Sequence, residues 1–211
     1  MSVGGHQYNP DRSLYDDYPT DPLWTHALCD HVTLRGKVWE PAAGSGWMVD
    51  VLRERGYDVL STDLERTGDD FLATEVERWI GSVVTNPPYK LADAFLRKAL
   101  SVATEQVAFL LPIGALGGKR RSEWLWHRKP PSLILLVPTY MLVGQATSQF
   151  LHVWVVWDQT RFRHSSTEFV WAPTPPDYTR TKRLRELREF SESGVNADVL
   201  ARHRARVRRG N

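Results

Sequence analysis

Short apolar segments alternate with helix-like segments along the first half of the chain, and this alternation limits the possible folds more than any other feature. Gly81–Thr85 has the length and composition of a buried strand, whereas residues 47–55 place apolar side chains at helical spacing. Strands that alternate with helices build parallel sheets with helices on both faces. In such sheets the ligand lies beyond the carboxyl ends of the strands. We therefore expect a single α/β domain whose functional residues lie where strands end.

The same patterns give the individual elements. Helices are predicted over residues 22–32, 47–55 and 91–102, and strands over residues 37–40, 58–62, 81–85, 106–111, 132–137, 151–157 and 167–171. Residues 173–176 form a proline-rich break, and an arginine-rich helical tail is expected beyond it.

The composition excludes several classes of protein. The chain has 211 residues and a net charge of +2, which suits one domain with a hydrophobic core. Its apolar runs fall short of the roughly 20 residues of a membrane-spanning helix, so we expect no membrane contact. The one cysteine, Cys29, cannot form an intramolecular disulfide, and we expect a reducing, cytoplasmic setting. The seven histidines lack metal-ligand spacing, so we expect no metal and assign them to the surface and to local hydrogen bonds.

A glycine turn, EPAAGSG over residues 40–46, follows the first predicted strand. Glycines at this place let the backbone turn sharply and let a ligand approach closely. The turn lacks the Gly-Lys-Ser/Thr of a triphosphate site, and it matches the dinucleotide pattern only in part. By itself the turn is weak evidence for a ligand site, and an ordinary tight turn is the alternative.

Two acidic positions follow. Asp63 ends the next strand, about 20 residues past the glycines, where a carboxylate can accept hydrogen bonds from both ribose hydroxyls of an adenosine moiety. The alternative is a capping aspartate. Asp70 and Phe71 could bond and cover an adenine ring, although a helix cap with Phe71 in the core is an alternative.

The most specific motif is Asn86-Pro87-Pro88-Tyr89, directly after an apolar strand. Consecutive prolines fix φ and remove backbone donors, so their carbonyls project rigidly. The Asn86 side chain and the Pro87 carbonyl could accept both hydrogens of an aromatic amine and turn its lone pair toward an electrophile. Tyr89 would stack on the base, which must leave a duplex to be reached.

In this order and spacing, the segment 40–46, Asp63 and the segment 86–89 resemble the class I S-adenosylmethionine-dependent amino-methyltransferases, especially DNA adenine-N6 methyltransferases of the short type found in bacteriophages and prophages. Residues 17–24, DYPTDPLW, are similar to the N-terminal segment that lies against the cofactor in that family. The resemblance implies a Rossmann-like mixed sheet of seven strands, with helices on both faces and an antiparallel last strand. It divides the chain into a flexible segment (1–17), a methyltransferase domain (18–172) and the proline break with the basic tail (173–211).

The resemblance also implies roles for individual residues. Catalysis would fall to Asn86, Pro87, Pro88 and Tyr89. The S-adenosylmethionine site would comprise Tyr18, Thr20, Glu40, Ala42, Gly44, Gly46, Asp63, Leu64, Asp70, Phe71 and Asn86. Methyl transfer from a sulfonium needs no metal.

Basic residues suggest a nucleic-acid partner. Lys119, Arg120 and Arg121 form a glycine-flanked basic loop, and Arg183 belongs to the basic tail, so these four could contact phosphates. A solvated loop and tail are the alternative. We expect adenine N6 of DNA as the acceptor, and favour DNA over RNA.

Three other functions remain open from the sequence. The motif at 86–89 also resembles sites that methylate RNA bases or protein glutamine amides, and the fold could belong to a non-catalytic nucleic-acid-binding module. Cytosine N4 is less favoured, because that group more often has serine in place of Asn86. The sequence has no long insert that could serve as a target-recognition domain.

Overall fold

A computed structural model describes residues 20–79, 81–118, 121, 129–138, 151–161 and 166–173. The N-terminal segment 1–17 and the basic tail beyond residue 173 lie outside the described residues. The helices are α1 (Pro22–His31), α2 (Trp47–Glu54) and α3 (Ala92–Val102), with 3-10 turns at Tyr89–Leu91 and Ile113–Gly117. The strands are β1 (Lys37–Glu40), β2 (Val59–Ser61), β3 (Gly81–Thr85), β4 (Gln106–Pro112), β5 (Leu133–Val137), β6 (His152–Asp158) and β7 (Glu168–Trp171).

The strands form one sheet of seven, in the order β2-β1-β3-β4-β6-β5-β7. β1 runs parallel to both β2 and β3, and β3 runs parallel to β4. β6 is antiparallel to both of its neighbours, β4 and β5, whereas β7 is parallel to β5. The mixed seven-stranded sheet is confirmed, but the antiparallel strand is the sixth in the chain and not the last. The reason is geometric. After β5, the chain turns back and β6 enters the sheet between β4 and β5, antiparallel to both. The chain then reverses again, so that β7 pairs parallel with the outer side of β5.

Helices cover both faces of the sheet, as expected. On one face, α1 and α2 pack on the alternate residues Ala108 and Leu110 of β4 and on Trp154 of β6. On the other face, α3 packs on the intervening residues of the same strands, such as Phe109 and Val155. A strand points successive side chains to opposite faces, so each central strand supplies both apolar layers.

The N-terminus of α1 has a local cause. Asp21 caps the helix, because its Oδ1 accepts the Leu23 amide at 2.9 Å, and Pro22 occupies the first turn. Trp24 then enters the core, and its carbonyl accepts the indole N–H of Trp154 at 2.7 Å. The segment that precedes β1 is thereby attached to the middle of the sheet.

The part of the chain that the structure describes has neither a membrane-spanning helix nor a cluster of metal-ligating side chains. None of its helices combines the length and hydropathy needed to cross a bilayer. Nor do three or more His, Cys, Asp or Glu side chains gather there in a possible metal-binding group.

Candidate active site

A pocket opens at the carboxyl ends of β1, β2 and β3. Its wall includes most of the residues that the sequence assigned to a site: Thr20, Glu40, Ala42, Gly44, Asp63, Leu64, Asp70, Phe71, Asn86 and Pro88. Gly46, Pro87 and Tyr89 lie next to the lining residues in the chain, and Tyr18 lies outside the described residues. Residues separated by up to 68 positions in the sequence, from Thr20 to Pro88, thus share one cavity.

Glu40 is the buried acid of this pocket, with only 1% of its surface exposed. Its Oε1 accepts the Ala42 amide at 2.9 Å and the Thr85 hydroxyl at 2.6 Å, while Oε2 is buried and has no hydrogen-bond partner among the residues that the structure describes. Burial raises the pKa of Glu40 to about 8, against the two hydrogen bonds, which lower it. The bond to Thr85 joins the ends of β1 and β3, immediately before Asn86.

The glycine turn has the backbone that its sequence predicts. Gly44 and Gly46 have φ of 47° and 84°, in the left-handed region that glycine adopts without strain. The Gly44 amide donates to Asp63 Oδ2 at 2.9 Å, and α2 begins directly after Gly46. The turn therefore presents its backbone, with few side chains, to the pocket.

Asp63 has a structural task in addition to lining the pocket. Its Oδ1 accepts the backbone amides of Glu65 at 2.9 Å and of Arg66 at 3.0 Å. With Gly44 on Oδ2, the carboxylate fixes the loops after both β1 and β2. The capping alternative thus describes real contacts of Asp63. Because Oδ1 already accepts two hydrogen bonds and Oδ2 one, Oδ2 keeps one lone pair for a further donor. Leu64, 42% exposed, adds an apolar surface to the same wall.

Phe71 is a buried core residue, whereas a ring that covers an adenine would be exposed in the pocket. Its side chain is 1% exposed and packs with ring centroids 5.0 Å from both Trp39 and Phe95. Asp70 Oδ1 accepts the Leu72 amide at 2.8 Å and shapes the turn that starts there. The physical reason is that a phenyl ring gains more by burial between two aromatic neighbours than by exposure. Phe71 contributes only a small part of its surface to the pocket.

Lys98 on α3 fastens this turn, a contact that the sequence gave no reason to expect. Its ammonium donates to the carbonyls of Leu72 and Thr74 and lies 5.4 Å from the centre of the Phe71 ring. One cation therefore holds both the backbone and the aromatic side chain of the pocket wall.

Asn86 follows β3 at the mouth of the pocket. Its Nδ2 donates to the Thr20 hydroxyl at 3.1 Å, which fixes the orientation of the amide group. Pro88 accepts the Leu91 amide at 2.8 Å and starts the 3-10 turn that carries Tyr89. The diproline thus leads from the strand into a defined turn, as its fixed φ angles favour.

Tyr89 contacts a residue that the sequence analysis missed. Its hydroxyl lies 2.9 Å from His152 Nε2 and shares a hydrogen bond with it, in a direction that depends on the imidazole tautomer. His152 is 5% exposed and its partner lies 63 positions away, so assigning the histidines to the surface and to local hydrogen bonds was wrong for this one. The available signal was its place at the start of an apolar strand, where an inward side chain is expected to be buried.

Only one of the four basic residues proposed for phosphate contact lies in the described part of the chain. The Arg121 guanidinium donates to Asp93 and to the Ala115 carbonyl, and its side chain is 14% exposed. It holds the turn after β4 against α3, and a phosphate would compete with these partners. Lys119, Arg120 and Arg183 lie outside the described residues.

Comparisons with known proteins identify the fold. No protein-family model and no curated protein matches the sequence. A solved structure from Listeria monocytogenes, described as a class I S-adenosylmethionine-dependent methyltransferase, is 13% identical, with a TM-score of 0.52 over 81% of this chain and 68% of that one. A protein described as the modification subunit of a type I restriction enzyme, from Vibrio vulnificus YJ016, is 14% identical, with a TM-score of 0.51 over 88% of this chain and 55% of that one.

The type IIG restriction endonuclease BpuSI is also similar, at 17% identity and a TM-score of 0.54, over 83% of this chain and 29% of BpuSI. The chain thus spans about half of the Vibrio protein and less than a third of BpuSI. At such low identity the likeness establishes the fold. The chain has the fold of the class I S-adenosylmethionine-dependent methyltransferases.

Proposed function

We propose that this chain is a methyltransferase that uses S-adenosylmethionine to methylate the exocyclic N6 amino group of adenine in DNA. The observation that carries the proposal is a single pocket in which the buried acid Glu40, the glycine turn and Asp63 face Asn86 at the start of the diproline segment. A nucleotide-type cofactor and an amine acceptor would meet in that pocket.

Glu40 supplies a test of whether the cofactor fits. Among the described residues, Glu40 Oε2 is buried without a hydrogen-bond partner, the pKa is raised to about 8, and no cation offsets the desolvation of the carboxylate. The methionine part of S-adenosylmethionine carries an ammonium group, which is such a cation. Gly44 lines the pocket and has no side chain to obstruct that part. The residues present therefore fit the cofactor.

Other residues would hold the remaining parts of the cofactor. Asp63 would accept a ribose hydroxyl through the remaining lone pair of Oδ2, and Leu64 would cover the adenine ring with its exposed apolar surface. Asp70 would accept a hydrogen bond from the adenine amino group. When bound, S-adenosylmethionine supplies a methyl group on a positively charged sulfur, which makes that methyl electrophilic.

The chain's own chemistry concerns the acceptor amine. An aromatic amine is a poor nucleophile, because its lone pair is delocalised into the ring. Asn86 and the Pro87 carbonyl would accept the two amine hydrogens and draw the nitrogen toward a tetrahedral geometry. Thr20 supports this role, because its bond to Asn86 Nδ2 leaves Asn86 Oδ1 as the end of the amide that accepts. Tyr89 would stack on the base, and the proton released after transfer would pass to water.

The choice of DNA rests on two further observations. Two proteins of the same fold are described as a modification subunit of a type I restriction enzyme and as a type IIG restriction endonuclease, both of which belong to DNA restriction systems. The sequence also carries a cluster of arginines beyond residue 180, which favours a polyanion over a protein substrate.

Incubation with tritiated S-adenosylmethionine tests the proposal. Purified protein is mixed separately with duplex DNA, single-stranded DNA, total RNA and a protein lysate, and the labelled product is identified after digestion. Label in N6-methyldeoxyadenosine is the expected result. Label in a ribonucleoside or in methylglutamine would transfer the assignment to the other acceptors, and no label anywhere, with cofactor bound, would indicate a non-catalytic binding module.

Asn86→Ala separates catalysis from binding. We expect kcat to fall at least about 100-fold, because an acceptor aimed at the transition state is lost, while cofactor affinity changes by less than about fivefold. The exposed Glu77→Gln serves as the control and should retain full turnover. Turnover of Asn86→Ala near that of the wild type would refute the catalytic role.

A further inference from the structure

His152 is a buried ionisable side chain beside the proposed site, and it has no part in lining the cofactor pocket. It is the first residue of β6, opposite Pro112 of β4 and Val137 of β5. It therefore lies at the same edge of the sheet as Asn86, and it is not one of the residues that line the cofactor pocket.

Three rings, those of Trp24, His152 and Tyr89, lie next to one another in space at this point. The centroid of the His152 ring is 4.7 Å from that of Trp24, with planes inclined by 30°, and 6.4 Å from that of Tyr89, with planes inclined by 33°. Trp24 is itself fixed, because its indole N–H donates to the Pro138 carbonyl at 2.9 Å. A rigid part of the core thus supports the imidazole from one side, and the imidazole holds the Tyr89 hydroxyl on the other.

The contact matters because of where Tyr89 is attached. The residue starts the short 3-10 turn Tyr89–Leu91, and its side chain is only half-buried. The χ2 torsion of a tyrosine is broad, so packing of this extent leaves the ring plane weakly defined. A hydrogen bond of 2.9 Å at the phenol oxygen fixes the far end of the ring and so its plane. Stacking with a base depends on that plane.

We propose that His152 is a positioning residue that holds Tyr89 in the orientation needed to stack the acceptor base. It acts through the Tyr89 hydroxyl and does not touch the reacting atoms. The inference rests on the proposed function, and it adds strand β6 to the elements that shape the acceptor half of the site.

Kinetic comparison of four variants tests this role. His152→Leu and Tyr89→Phe each break the hydrogen bond, and each should lower kcat about tenfold while cofactor affinity stays within about threefold. His152→Gln places an amide near the position of Nε2 and should restore kcat to within about threefold of the wild type. In the double variant His152→Leu with Tyr89→Phe, kcat should fall no further than in either single variant, because both act on one bond.

Additive losses in the double variant, or a uniform rise in the cofactor dissociation constant, would overturn the inference, because they indicate general damage to the core. Near-ultraviolet circular dichroism and the melting temperature show whether each variant is folded. The imidazole ¹⁵N and ¹H resonances of His152, compared between the wild type and Tyr89→Phe, report the hydrogen bond without any turnover. If the wild type methylates nothing, the proposed function fails, and unchanged resonances in Tyr89→Phe separately refute the contact.

Discussion

Glu40→Gln should change the pH dependence of stability in a way that can be calculated. Burial raises the pKa of Glu40 from 4.5 to about 8, so the folded protein binds a proton more tightly than the unfolded chain does. Between these two pH values folding takes up a proton, and the free energy of unfolding falls as the pH rises. Each pKa unit corresponds to about 1.4 kcal/mol, which gives about 5 kcal/mol in all and about 3 kcal/mol between pH 5 and pH 7.

Glutamine resembles the protonated form of this side chain at every pH. Its oxygen can accept the bonds from Ala42 and Thr85, and its amide occupies the position of Oε2. Any constant cost of burying that amide cancels when variants are compared across pH. Urea unfolding of the wild type, Glu40→Gln and the exposed control Glu77→Gln at pH 5, 6, 7 and 8 measures the difference.

We expect the stability of Glu40→Gln relative to the wild type to increase by about 3 kcal/mol from pH 5 to pH 7, with Glu77→Gln following the wild type. A difference that stays constant over this range would refute the reasoning, because Glu40 would then ionise equally in the folded and unfolded states. The same substitution should weaken cofactor binding, although it stabilises the fold relative to the wild type at higher pH. At pH 8, Glu40→Gln should bind S-adenosylmethionine at least about tenfold more weakly than the wild type does, because the neutral glutamine amide replaces the carboxylate that would pair with the ammonium group.

Two further changes test contacts around the pocket. Thr20→Val removes the hydroxyl that orients Asn86, and we expect it to lower kcat about tenfold in steady-state kinetics. Thr20→Ser keeps the hydroxyl and should retain kcat. Equal losses of kcat in both variants would exclude the hydroxyl as the cause. Lys98→Met removes the ammonium that holds the turn at Leu72. We expect it to weaken binding of S-adenosylhomocysteine about fivefold in isothermal titration calorimetry and to leave kcat unchanged. A loss of kcat at unchanged affinity would contradict this role.

The local parts of the site could be predicted from the sequence because their chemistry is local. The turn at 40–46 needs glycines for its left-handed backbone, and the diproline fixes its own geometry, so both are visible in a few adjacent residues. The strands that precede them are short apolar runs, and the observed bounds of all seven described strands lie within one residue of the predicted ones. Local rules therefore gave the strand-end edge, whereas Thr20, Ala42 and Leu64 were assigned to the site through the family resemblance.

The contacts between distant segments could not be predicted in this way. Tyr89 and His152 are separated by 63 positions, and Thr20 and Asn86 by 66, so that no periodicity or turn rule connects them. Phe71 illustrates a different difficulty. An aromatic residue beside an aspartate is compatible with ligand contact and with core packing, and only the positions of Trp39 and Phe95 decide in favour of the core.

The insertion of β6 between β4 and β5 has a consequence for synthesis on the ribosome. The strands and turns that line the cofactor pocket are complete once residue 95 has been made, whereas β4 receives its second neighbour only after residue 158 has emerged. Until then β4 exposes an apolar edge of seven residues that can pair with other chains. A nascent or truncated chain that ends between residues 95 and 158 would have a nearly complete cofactor pocket and an unpaired sheet edge at β4. We expect such a chain to depend on chaperones to remain soluble.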